Sequence, residues 1–112
     1  MLDHVGINVK NYAVSKEFYT KALKSIGYIV IMDFPDAAVG FGKDNIPDFW
    51  IKCEKPVTTK AHVAFQSDDR ETIDVFYKDA LDAGGKDNGA PGLREHYHPN
   101  YYGAFIFDPD GN

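Results

Sequence analysis

The sequence predicts an α+β fold of two paired β-α-β-β-β modules, with the last strand missing. Three observations predict it. The chain repeats itself, with His4-Val5 returning as His62-Val63, Asn8 as Gln66, Phe18-Tyr19 as Phe76-Tyr77, Ala22-Leu23 as Ala80-Leu81 and Gly27 as Gly85, all 58 positions apart without a gap. One offset held through a strand, a helix and a turn marks two copies of one supersecondary unit, about residues 1–55 and 59–112. Runs that alternate apolar and polar residues flank two runs with helical spacing. Finally, a single domain of 112 residues buries about 65% of its unfolded surface, whereas half of it is too small to be stable alone. The copies must pack together or exchange with a partner.

Each element has its own justification. Leu2 to Val9 alternates, with Val5, Ile7 and Val9 on one face and His4, Gly6 and Asn8 on the other. Asn11 caps a helix whose stripe is Val14, Phe18, Ala22 and Leu23, opposite Lys16, Glu17, Lys21 and Lys24. Gly27 ends it, as a residue that takes a left-handed conformation cheaply. Three short strands follow, at Tyr28 to Met32, Ala37 to Phe41 and Asp48 to Cys53, separated by Pro35-Asp36, Gly42 to Asn45 and Pro47. The second copy opens with a strand at Ala61 to Gln66. Asp68, three residues before Glu71, starts a helix that buries Ile73, Phe76, Tyr77, Ala80 and Leu81, and Gly84-Gly85 stops it. Between Lys86 and Asn100 the glycines and prolines leave room for one short strand. Tyr101 to Phe107 is a strand, and Asp108-Pro109-Asp110-Gly111-Asn112 is a turn. By the repeat one more strand follows that turn, and the 112 residues do not contain it.

Composition narrows the function. A formal charge of −5 disfavours a nucleic-acid partner, since a phosphate backbone is bound by clustered Lys and Arg that displace counterions. The N-terminus lacks a basic region followed by an apolar core, and no apolar run approaches the roughly 20 residues of a membrane span, so a cytoplasmic protein that does not enter membranes is expected. The single Cys53 cannot form an internal disulfide.

The candidate site residues follow from the repeat and the strand periodicity. A lone histidine on a strand face is more often a half-buried imidazole with satisfied nitrogens. His4 and His62, however, share the repeat offset, and a pseudo-twofold axis would bring them to one place as ligands of a divalent metal; imidazole suits zinc, nickel and iron alike. His96 and His98 lie in a loop rich in Tyr and Pro. Surface histidine is the default there, with His98 the candidate for a catalytic proton shuttle or substrate contact. Trp50, Tyr102 and Phe105 are candidate substrate-binding residues, because alternation sends one of each neighbouring pair into the concave face of the sheet; the alternative is that Trp50 and Phe105 face the helices. Phe18-Tyr19 and Phe76-Tyr77 read as core.

His4-Val5-Gly6-Ile7, Ser15-Lys16-Glu17-Phe18-Tyr19, His62-Val63-Ala64-Phe65 and the run Tyr102 to Asn112 ending in Asp-Pro-Asp-Gly-Asn together resemble the vicinal oxygen chelate superfamily, which includes glyoxalases, bleomycin-resistance proteins and extradiol dioxygenases. The resemblance implies paired β-α-β-β-β modules that curl into a half-open mixed sheet around a metal, with helices on the outer face, His4 and His62 at ligand positions and a glutamate on the strand after Asn112. The further carboxylate that glyoxalases take from the last strand of the first module has only Asp48 as a counterpart. It also implies a glyoxalase-like, divalent-metal-dependent lyase or isomerase acting on a small oxygen-chelating substrate; the half-sized sheet and the unpaired last strand predict a homodimer. A ferrous extradiol-type dioxygenase and a non-enzymatic small-molecule binder of the bleomycin-resistance type are the alternatives.

Overall fold

The computed structural model describes residues 1–112. Its first half forms one mixed sheet, in which β1 (Val5–Asn8) runs parallel to β4 (Ile46–Lys52), β4 antiparallel to β3 (Ala38–Lys43), and β3 antiparallel to β2 (Ile29–Phe34). A parallel pair needs a crossover, and the helix α1 (Tyr12–Ala22) begins it. Asn11 caps α1 by accepting the Val14 N–H at 3.0 Å. A single 3₁₀ turn, Lys24–Ile26, continues it to Gly27, whose φ of 84° is the left-handed conformation anticipated for a stop.

The core lies between this sheet and the helices. Ile7 and Val9, Val39 and Phe41, and Phe49 and Ile51 come from one face of the sheet and meet Phe18, Tyr19, Ala22, Leu23 and Ile26. Their intervening neighbours occupy the other face, as period two requires. Pro47 is accommodated in β4 because the ladder is irregular between Phe41 and Gly42.

The second half contains α2 (Arg70–Asp82) and an antiparallel pair, β5 (Lys86–Leu93) with β6 (Tyr102–Phe107). Like α1, α2 packs on the core, contributing Ala80 and Phe76. Two expectations change here. The helix is capped by Asp69, which accepts the Thr72 N–H at 2.7 Å, so Asp68 lies one residue before the cap. Residues 61–66 form no ladder; Ala61 and Phe65 pack against the core, while Val63 between them is exposed. The physical reason is the missing neighbour: β1 is held by β4, and no strand lies in the corresponding place beside residues 61–66. A cleft of about 340 Å³ occupies that place, lined by Ala61 to Phe65 on one side, Tyr101 to Phe107 on the other, and core side chains such as Phe18 and Phe49 beneath.

The turn at Asp108–Asn112 closes one end of this cleft. Asp108 is buried and its Oδ1 accepts the N–H groups of Asp110 and Asn112 at 2.9 and 2.8 Å. Asn112 in turn accepts the Ala61 N–H at 3.0 Å and donates to the Thr58 carbonyl at 2.9 Å.

Candidate functional site

The helix-free faces of the two sheets hold two of the candidate residues, Trp50 and Phe105. Phe49 and Ile51 point into the core, so Trp50 between them points away from it, paired with Gly6 on one side and Gly40 on the other. A Cβ at Gly40 would stand 2.8 Å from the Trp50 ring, so the indole lies across β3 where a side chain is lacking. Phe34 of β2 stacks on it, with centroids 6.4 Å apart and planes 23° from parallel. Together they form a flat aromatic wall, and Phe34 remains half exposed at 51%.

On β6 the parity is read from Ile106, which packs on the core. Tyr102 shares its face: its hydroxyl donates to Asp74 of α2 at 2.6 Å and the Arg70 guanidinium lies 5.1 Å from its ring. Tyr102 therefore braces the helix and does not stand with Phe105. Phe105 turns the other way, beside His62 at 6.0 Å, Tyr97 at 6.4 Å and the Arg94 guanidinium at 5.4 Å. The aromatic contacts continue from Tyr97 to Tyr101 at 4.8 Å and from Tyr101 to His98 at 5.1 Å. Thus His98 reaches the cluster through Tyr101, in a turn whose backbone is tied by the Tyr101 N–H to the His98 carbonyl.

His62 lines the cleft beside β6 and His4 does not. His4 stands one residue ahead of β1, exposed, with Nδ1 2.9 Å from the Asp3 carboxylate. Asp48 is directed to Tyr28, accepting its hydroxyl at 3.0 Å, while its other oxygen is buried without a partner. Burial, and then the Asp48 carboxylate, push the Tyr28 hydroxyl up to about 12. No three His, Cys, Asp or Glu side chains are grouped so as to hold one metal ion. Open metal sites use about three protein donors, so the donors of these residues do not make up a complete one.

Three residues of these faces carry no role in the sequence reading: Phe34, Arg94 and Tyr97. Phe34 sits at the end of an alternating run and Tyr97 in a loop without periodicity. The one available signal for Arg94 is the glycine pair Gly89 and Gly92 on the strand before it.

No protein-family model matches the sequence, and no curated protein matches it. Solved structures do. A glyoxalase/bleomycin resistance protein from Albidiferax ferrireducens is 26% identical, with a TM-score of 0.85 over 100% of this chain and 92% of that one. A possible glyoxalase from Bacillus cereus is 17% identical, with a TM-score of 0.66 over 99% and 92%. A glyoxalase I variant from Zea mays is 21% identical, with a TM-score of 0.67 over 98% of this chain and 41% of that longer one. The chain thus carries the glyoxalase/bleomycin-resistance fold, and the first of these likenesses supports the vicinal oxygen chelate superfamily.

Proposed function

We propose that this is a glyoxalase-like protein that handles a small oxygen-bearing organic molecule on the helix-free faces of its sheets. One observation carries the reading: Trp50 and Phe34 stack as a flat aromatic wall over Gly40, on the side of the sheet away from the core. Such a wall exposes apolar area that only a ligand or partner would cover. In the second half His62 lies beside Phe105, and His98 is the candidate proton carrier behind Tyr101.

The test uses the only tryptophan. Titration with small aromatic and conjugated oxygen compounds is expected to change Trp50 emission saturably, and Phe34→Ala is expected to weaken that response several-fold. Absence of a saturable response to any of them would refute the reading.

A second reading is a lyase or isomerase that uses a divalent metal as a Lewis acid, with His4 and His62 as two of its ligands. It is favoured by the Asp3 carboxylate at His4 Nδ1, which leaves Nε2 as the free donor, the arrangement usual for a ligating imidazole. The donor set would need completion from outside the described residues, in the homodimer or from further chain, so no step is assigned to the metal. Elemental analysis of protein purified without added metal separates the readings. Stoichiometric metal that is lost in both His4→Ala and His62→Ala supports the enzyme; none in any sample supports a binder of the bleomycin-resistance type. Sedimentation at micromolar concentration tests the homodimer, which a strictly monomeric profile would exclude. A cytoplasmic location is part of the same proposal; no helix is long and apolar enough to cross a membrane.

A further inference from the structure

We propose that Arg94 forms, with Phe105 and Tyr97, a recognition site for the carboxylate of a planar organic acid. The inference rests on the reading that the helix-free face takes a small molecule, and it adds the charge of that molecule.

Of the basic residues only Lys16 and Arg94 are half-buried. Lys16 is paired with Asp33 at 2.6 Å. Arg94 is paired with no carboxylate, although the chain has 17 acidic residues against 12 basic ones. Its guanidinium is nonetheless held in one place. Nη2 donates to the Ala90 carbonyl at 2.6 Å and Nη1 to the Leu93 carbonyl at 3.3 Å. These bonds use two of its five N–H groups and leave its charge uncompensated.

The strand is built to seat it. A Cβ at Gly92 would lie 3.0 Å from Nη1 and press on it, and one at Gly89, whose φ of 145° itself favours glycine, would lie 3.2 Å from Nη2. The Phe105 ring, 5.4 Å from it, is the platform, with Tyr97 and His62 around that ring. A guanidinium desolvated on one side and fixed by backbone carbonyls presents a planar fork, which matches a carboxylate better than a point charge would. Rings beside the fork favour a flat body on the ligand. The class is therefore an aromatic or conjugated carboxylic acid.

Benzoate and benzamide, equal in shape and different in charge, are the probes, followed by chemical-shift titration of the amide and aromatic resonances. Wild type is expected to bind benzoate about tenfold more tightly than benzamide, the scale of one charge-assisted fork. Arg94→Met should erase that difference by weakening benzoate far more than benzamide; Arg94→Lys should keep part of it. Gly92→Ala, which retains the charge but displaces the guanidinium, should reduce benzoate binding as well. Equal benzoate affinity in wild type and Arg94→Met overturns the proposal, as does a wild type without preference for benzoate. Benzamide bound without that preference refutes the charge assignment alone, whereas neither probe binding refutes the small-molecule reading too.

Discussion

The Tyr19 hydroxyl donates to Asp108 Oδ2 at 2.5 Å, joining α1 to the turn after β6 through two buried residues 89 positions apart. The same carboxylate holds that turn through its other oxygen. Burial, and then the Asp108 carboxylate, raise the Tyr19 hydroxyl well above the usual phenol range. Tyr19→Phe removes one bond to a buried charge and is expected to cost about 1–3 kcal/mol; Asp108→Ala, which also frees the turn, should cost more. Urea unfolding of both single variants and the double variant measures this. The double variant should be less destabilised than the two single effects added together, because either change alone breaks the shared bond.

The α2 cap separates two neighbouring aspartates. Asp69 accepts the Thr72 N–H and its carboxyl is held below the usual carboxylate range by that bond. Asp69→Ala is expected to destabilise by about 1 kcal/mol, while Asp68→Ala should stay within about 0.5 kcal/mol of wild type, as surface substitutions do. Chemical denaturation of the two variants checks the assignment; the reverse order would return the cap to Asp68.

Legibility in the sequence followed how local each determinant is. The stripe of Phe18 and Ala22, the Asn11 cap and the Gly27 stop are all set within a few residues, and the structure has them where the spacing puts them. Residues 61–66 carry a strand pattern, yet a ladder needs a neighbour, and pattern alone does not supply one. In β5, Gly89, Pro91 and Gly92 erase the period because the ladder itself is irregular there. At the candidate site, period two separates Trp50 from Phe49, and it also separates Phe105 from Tyr102, since Tyr102 shares parity with the core residue Ile106. Arg94 could not be read this way. Its position depends on the side chain folding back over Gly92, which has no period.

The aromatic wall depends on a single missing methyl group. At Gly40 a Cβ would stand 2.8 Å from the Trp50 ring and 2.9 Å from Pro47 Cβ, distances that real side chains do not adopt. Gly40→Ala should therefore push the indole off β3 and break its stack with Phe34, at a cost of about 1–3 kcal/mol from overpacking. The expected readout is a shift in Trp50 emission and near-ultraviolet circular dichroism, with far-ultraviolet signal retained. Unchanged Trp50 spectra would show that the indole does not lie across β3.

Alkaline pH offers a test of the contact between Tyr28 and Asp48 across β2 and β4. The Tyr28 hydroxyl ionises near 10 when unfolded and is raised to about 12 in the fold, so the native state holds its proton where the unfolded chain loses it. A raised value contributes stability that is complete below the unfolded value and is lost as pH climbs through the folded one. Between pH 10 and about 12 the native state must therefore lose stability through this group. Tyr28→Phe removes the ionisation and leaves Asp48 without its donor. The variant should be less stable than wild type near neutral pH, with the gap narrowing across that alkaline window. Urea midpoints measured at neutral pH and through the window decide it: a gap that stays constant or widens with pH would place the Tyr28 hydroxyl in water.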